Sequence, residues 1–127
     1  MDPLRFRVVA GPYALCRLAP DAAVPSWYDR PPFSSVTRTP EELSIVCPAG
    51  CVPADVQAEA GWALLQLVGP FPFSAIGICA EISSRLAAAG ISLIALATFD
   101  TDYFLVKESD LSLALETLDA AGHTRVG

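Results

Sequence analysis

The run LAAAGISLIALATFDTDYFLVKESDLSLALETL, residues 86–118, constrains the fold more than any other part of the chain. It predicts the end of a helix with Gly90 in a left-handed cap, then an apolar strand over residues 91–99. A turn carrying two acids follows, with a second strand over 103–106 and a second helix that Ser109 or Asp110 caps. Because the first strand is apolar on both faces, we expect it to be covered on both sides. The apolar stripe of the second helix consists of Leu111, Ala114, Leu115 and Leu118.

Composition restricts the possible partners. A hydrophobic content of 53% and a mean hydropathy of +0.45 exceed what a small core needs, which favours a homodimer. The net charge of −6 disfavours nucleic-acid binding, since such binding depends on basic residues facing phosphates. The longest apolar run is shorter than the roughly 20 residues of a membrane span, and the N-terminus lacks a signal-peptide core. We therefore predict a cytoplasmic protein without a membrane segment.

The cysteines and the single histidine do not form a recognisable reactive set. Cys16 and Cys79 are predicted to be small buried hydrophobes, and the CxxxC spacing of Cys47 and Cys51 fits neither a redox motif nor a zinc knuckle. His123 follows Gly122 in a tail that we expect to be frayed and solvated. No nucleophile stands near a base in the predicted elements. We therefore expect no catalytic residue, no metal site and no cofactor.

The two halves of the chain repeat the order strand, helix, hairpin. Gly-Pro pairs occur at positions 11–12 and 69–70, and each is followed by a threonine with an acid four positions later, Thr37 with Glu41 and Thr98 with Asp102. A repeated order of this kind indicates a duplicated unit. We therefore predict two βαββ-type modules, residues 1–60 and residues 61–127, the first with a stunted helix.

Local patterns predict the remaining elements. In the second module a strand over 62–68 leads to a helix with Ser74 as its N-cap and Glu81 and Arg85 as an exposed i, i+4 pair. In the first module we predict strands over 4–10, 13–18, 33–38 and 43–47, the last two as a hairpin, and a short helix over 20–27.

Two segments carry a resemblance to a known family. The segments are FSSVTRTPEELSIVC in the first half and GPFPFSAIGICAEISSRLAAAGISLIALATFDTDYFLVKESDL in the second. They resemble the ACT-domain superfamily, in particular the ACT modules of CASTOR-type arginine sensors and of aspartate kinases. The resemblance implies an α+β, ferredoxin-like ACT fold that senses a small ligand, typically an amino acid, at an interface between modules. Since the arginine sensors hold four modules and this chain two, it also implies a homodimer.

The resemblance further implies a ligand-binding set at the start of the second-module helix and at a Thr-Phe-x-x-Asp turn. A helix start offers free amides to a carboxylate, and Asp102 can accept a charge-assisted hydrogen bond from an ammonium group. For Asp102 and the neighbouring Asp100, a plain hairpin turn and an acid–base pair remain alternatives. The positions that match the sensors are Gly77, Ile78, Thr98, Phe99 and Asp102.

Two functions are compatible with this sequence. The first is a non-enzymatic regulatory module that binds an amino acid or similar small ligand and is read by a partner enzyme or regulator. The alternative is a ligand-free structural or protein-interaction module that keeps the ACT fold. In that case the pocket is expected to be filled by Phe71, Phe73 or Phe99.

Overall fold

The structure, a computed structural model, describes all 127 residues. The strands are β1 (Arg5–Leu18), β2 (Ser35–Arg38), β3 (Leu43–Pro48), β4 (Gln57–Leu67), β5 (Leu93–Ala97), β6 (Asp102–Lys107) and β7 (Thr124–Arg125). The α-helices are α1 (Ile78–Ala88) and α2 (Leu111–Ala120). No helix combines the length and the apolar composition that crossing a membrane requires.

The chain forms two compact units. We call Ala10–Trp62 the N-terminal unit, and Met1–Val9 together with Ala63–Gly127 the C-terminal unit. Strands β1 and β4 each pass from one unit into the other. The sequence assigns residues 1–9 to the first module, whereas in the structure they pack with the second half of the chain. The module boundary predicted at residue 60 stays a prediction.

The N-terminal unit has the strand order β2-β3-β1, with both pairings antiparallel. Strands β2 and β3 form the predicted hairpin. The short helix predicted over 20–27 is wrong, because the segment contains only turn, bend and irregular residues. The Arg38 guanidinium donates to the carbonyls of Pro20 and Ala22, which a helix would use for its own hydrogen bonds. Pro25 has no N–H to donate within a helix. The core consists of Ala14, Cys16, Leu43, Ile45 and Cys47, so the predicted burial of Cys16 is confirmed.

The C-terminal unit has the strand order β1-β4-β6-β5, and β7 pairs in parallel with β1. The left-handed Gly90, with φ 79°, and the second strand, β6, are confirmed. The apolar stripe of α2 is confirmed as well, because Ala114 and Leu118 are buried and its other two members pack against the same core. The coverage predicted for both faces of β5 is wrong: β5 is the last strand in the order, and Ala95 and Ala97 are exposed.

Helix α1 begins later than the sequence predicts. Its N-cap is Gly77, at a left-handed φ of 85°, and the Glu81 amide donates to the Gly77 carbonyl at 2.9 Å. Ser74 is therefore not the N-cap; it lies in a turn closed by the Ala75 amide and the Pro72 carbonyl at 3.0 Å. Because the helix starts at residue 78, Cys79 lies in its first turn and is exposed, so the burial predicted for this thiol is wrong. Ile82 and Leu86, further along the helix, are buried.

His123 is buried rather than solvated, which overturns the prediction of a frayed tail. The side chain is 3% exposed because β7 pairs with β1 and turns residue 123 inward. The Leu4 amide donates to His123 Nδ1 at 3.0 Å, and His123 Nε2 lies 2.7 Å from Glu81 Oε2. Arg85 Nε donates to the same carboxylate at 3.1 Å, which confirms the predicted i, i+4 pairing, although the Glu81 side chain is only 16% exposed. These bonds from His123 and then Arg85 hold the Glu81 pKa below its usual range.

Candidate ligand-binding site

The hairpin between β5 and β6 is closed by a four-residue turn, 98–101, that two threonines lock. The Thr98 amide and hydroxyl both donate to the Thr101 carbonyl, each at 2.9 Å, and the Thr101 amide donates to the Thr98 hydroxyl at 3.3 Å. The Thr101 side chain is buried, and its hydroxyl donates to the Leu67 carbonyl at 2.8 Å. The turn is therefore fixed both internally and to β4, and it sets the position of Asp102, the first residue of β6.

The loop that leads into α1 lies directly against this turn. The Phe71 amide donates to the Asp100 carbonyl at 2.9 Å. A Cβ at Gly69 would lie only 2.8 Å from the same carbonyl oxygen, so the close approach of the two backbones needs glycine at this position. The contact holds the loop and the hairpin turn side by side, with the start of α1 next along the chain.

A cavity of about 400 Å³ opens between the loop, the start of α1 and the hairpin. The residues that line it lie within two segments, 71–80 and 97–102, both in the C-terminal unit. The structure thus brings together elements that are about twenty residues apart in the chain. All five residues predicted from the sequence line this one cavity: Gly77, Ile78, Thr98, Phe99 and Asp102. Their role in binding a ligand stays a prediction.

The helix start and the hairpin bring opposite charges to the cavity. Gly77 provides no side chain to cap α1, and the amides of the first helical turn have no acceptor within the helix, so this end is partially positive. Asp102 is the only charged residue in the lining. Cys79, in the first turn of α1, also lines the cavity; partial desolvation, and after it the charge of Asp102, raises the pKa of its thiol. The cavity therefore combines free amides, a neutral thiol and one carboxylate.

Exposed aromatic side chains form the rim. Phe73 and Phe99 are each 79% exposed, and their rings meet edge to face with centroids 5.0 Å apart. Ile76, in the same loop as Phe73, is 91% exposed. The ligand-free alternative expects an aromatic side chain to fill the cavity. Neither Phe73 nor Phe99 does so. Three large apolar side chains stand in solvent beside it.

Sequence reasoning missed two residues of this site. Thr101, which anchors the turn, was visible only as the second member of a Thr-x-x-Thr spacing, a pattern in which the first hydroxyl can bond a backbone group a few residues on. Cys79 was missed because its exposure depends on where α1 begins. The lining contains no histidine, lysine or arginine, so the groups available for chemistry are amides, hydroxyls, one thiol and one carboxylate.

Comparison with known proteins identifies the family. A family model described as ACT domain matches residues 57–120, about half of the chain, and a second, described as an N-terminal domain, matches residues 11–55. The protein belongs to the ACT-domain family and has its ferredoxin-like α+β fold. This family assignment confirms the resemblance on which the predicted site rests.

The relatives include a sensor and solved bacterial structures. The chain is 32% identical over 97 residues to the cytosolic arginine sensor for mTORC1 subunit 1 of Bos taurus, a match covering 68% of this chain and 30% of the sensor. The chain thus spans less than a third of that relative's length. Protein Atu0741 of Agrobacterium tumefaciens superposes with a TM-score of 0.94 at 36% identity, covering 99% of this chain and 94% of that one. Aspartate kinase of Clostridium acetobutylicum (TM-score 0.64, 12% identity, 86% of this chain and 32% of the kinase) shares the fold.

Proposed function

We propose that this protein is a non-enzymatic regulatory module that binds an amino acid or a close analogue in the cavity of the C-terminal unit. One observation carries the proposal: the uncapped start of α1 and the Asp102 carboxylate line the same cavity. An α-amino acid carries an anionic carboxylate and a cationic ammonium group. The first suits the partially positive amides and the second suits Asp102.

The proposal extends to how binding is reported. The exposed Phe73, Ile76 and Phe99 favour a homodimer in which a second subunit covers the rim of the cavity. A ligand that binds one packing of the subunits better than another shifts the population, and a partner enzyme or regulator reads the change. A cytoplasmic location is part of the proposal, supported by similarity to a sensor that is described as cytosolic.

A thermal-shift screen of the twenty amino acids tests the proposal. At least one amino acid is expected to raise the unfolding temperature, because a ligand at 100 times its dissociation constant adds about 2.7 kcal/mol. Asp102→Asn is expected to remove the shift. Asp100→Asn is the matched control, since it removes the same charge from the same hairpin at a residue that does not line the cavity. The proposal fails if no amino acid stabilises the protein at millimolar concentration, or if Asp102→Asn responds as the wild type does.

The exposed aromatic pair favours a second candidate, a protein-interaction module without a ligand. In that case Phe73→Ser combined with Phe99→Ser is expected to convert a dimer to a monomer in sedimentation velocity, while no amino acid binds the wild type. Leu113→Ser is the control, since Leu113 is an exposed apolar residue on α2, away from the cavity lining. A dimer that survives the double substitution would rule out this surface as the interface.

A further inference from the structure

The two hairpins of the protein have the same register. In β2–β3 the last pair before the turn is Arg38 with Leu43, and in β5–β6 it is Ala97 with Asp102. Four residues separate the partners in each case. Directly opposed residues of an antiparallel pair share a face of the sheet. Arg38 therefore corresponds to Ala97, and Leu43 corresponds to Asp102.

The two turns are also locked in the same way. The Thr39 amide donates to the Glu42 carbonyl at 2.9 Å, and the Glu42 amide donates to the Thr39 hydroxyl at 3.2 Å. Thr98 and Thr101 make the same two bonds. Thr39 is thus the structural counterpart of Thr98, which corrects the repeat predicted from Thr37 and Glu41 by two positions.

The corresponding residues differ in size and polarity. Ala97 and Asp102 line the cavity of the C-terminal unit. In the N-terminal unit Leu43 has no exposed surface and belongs to the hydrophobic core. The Arg38 guanidinium donates to the carbonyls of Pro20 and Ala22, the latter at 2.7 Å. Where one hairpin leaves an open, acidic space, the other places a leucine and a bound guanidinium.

The carbonyls that Arg38 binds belong to the segment connecting β1 to β2, residues 19–34. In the C-terminal unit the corresponding connection, residues 68–92, supplies the loop and the helix start that line the cavity. A second cavity, of about 230 Å³, exists in the N-terminal unit, but its lining includes Arg17 and Ser44. These two residues pair with each other next to Leu18 and Leu43, so they face the other side of the strands.

We propose that Leu43 permanently fills the N-terminal counterpart of the ligand cavity, and that the exposed Arg38 beside it holds the preceding connection over this space, so that each chain binds a single ligand. Arg38 ties its hairpin to the preceding connection as a fixed part of the fold. In the C-terminal unit, where the Phe71 amide already joins the loop to the turn, the bound ligand makes the further tie between Asp102 and the start of α1, and it slows amide exchange in residues 68–77 when it binds. The statement about the ligand rests on the proposed function, whereas the statement about Arg38 does not.

Hydrogen–deuterium exchange tests the role of Arg38. Arg38→Ala is expected to speed exchange of the amides in residues 19–30 about tenfold, because the tie consists of charged hydrogen bonds to two carbonyls. Arg30→Ala is the matched control: it removes the same charge, and Arg30 donates only to the carbonyl of its neighbour Asp29. If Arg38→Ala does not fold, Arg38→Lys, which keeps the charge and loses the planar fork, is expected to give a smaller increase. Unchanged exchange in the folded variant overturns the role of Arg38.

The same experiment on the wild type with an equimolar mixture of the twenty amino acids tests the role of the ligand. Exchange is expected to slow over residues 68–77 and to stay unchanged over residues 19–30. Slower exchange in both segments would overturn the single site per chain. No change in either segment would contradict the proposed function, while the result with Arg38→Ala would still decide the role of Arg38.

Discussion

The residue that follows the turn is Leu43 in the β2–β3 hairpin and Asp102 in the β5–β6 hairpin. Leu43 is fully buried in a hydrophobic core, whereas Asp102 lines an open cavity. The turns themselves are closed by the same threonine hydrogen bonds. Turn chemistry therefore sets the hairpin and its register, and the pair of residues beside the turn decides whether the space beneath becomes core or site.

Replacing Leu43 by aspartate, the residue at the equivalent position of the other hairpin, gives the largest expected effect on stability. Leu43→Asp places a carboxylate where no water reaches and is expected to lower the free energy of unfolding by about 3 kcal/mol or more. Urea denaturation measures this change. Leu43→Met, which keeps the volume and the polarity, is expected to cost less than about 1.5 kcal/mol. Similar costs for both variants would show that the space under this hairpin tolerates charge as the cavity does.

The reverse exchange separates binding from folding. Asp102→Leu is expected to leave the free energy of unfolding within about 1 kcal/mol, because the carboxylate forms no ion pair in the structure. Binding of the amino acid found in the thermal-shift screen is expected to weaken at least about tenfold, the loss of one charged hydrogen bond. Isothermal titration calorimetry measures the affinity. Unchanged affinity would remove Asp102 from the site.

Removing the turn hydroxyls tests whether the two hairpins are equivalent. Thr39→Val and Thr98→Val each lose the hydroxyl that accepts the amide at the end of the turn, and each is expected to cost about 1 kcal/mol. Urea unfolding curves of the two variants measure the costs. If the two costs differ by more than about 1 kcal/mol, the equivalent hydrogen bonds of the two turns do not contribute equally to stability.

The smallest expected effect concerns pH and is confined to the C-terminal unit. Because His123 and Arg85 hold the Glu81 pKa below its usual range, the Glu81 carboxylate stabilises the fold above about pH 4.3. This contribution is lost as the pH falls through the lowered pKa of the folded state. Glu81→Gln is therefore expected to flatten the decline in unfolding temperature below that pH, and Glu41→Gln, in the turn of the other hairpin, serves as the control. If the unfolding temperature of Glu81→Gln declines as steeply as that of the wild type, the Glu81 carboxylate does not provide this stabilisation.

The sequence predicted those parts of the fold that depend on local chemistry. The β5–β6 hairpin, the left-handed Gly90 and the inward face of α2 follow from turn residues and periodicity, and all three are confirmed. The five predicted cavity residues do line one cavity. Their prediction succeeded because the family resemblance located both the helix start and the turn. A motif that spans two distant segments can carry tertiary information that neither segment carries alone.

The remaining features depend on contacts between distant residues. His123 is buried because β7 returns to β1, and nothing near residue 123 signals that pairing. The segment 20–27 is not helical because Arg38, sixteen residues beyond Ala22, binds its carbonyls. Cys79 is exposed because Gly77, not Ser74, caps α1. Such outcomes depend on strand order and on loop conformation, which local pattern does not determine.

Native mass spectrometry with added amino acids tests most directly whether the cavity is a ligand site. The account predicts one bound amino acid per chain for the wild type and for Asp100→Asn, and a much smaller bound fraction for Asp102→Leu at the same concentration. A wild-type protein that binds no amino acid, or an Asp102→Leu variant that binds one as well as the wild type does, would contradict it.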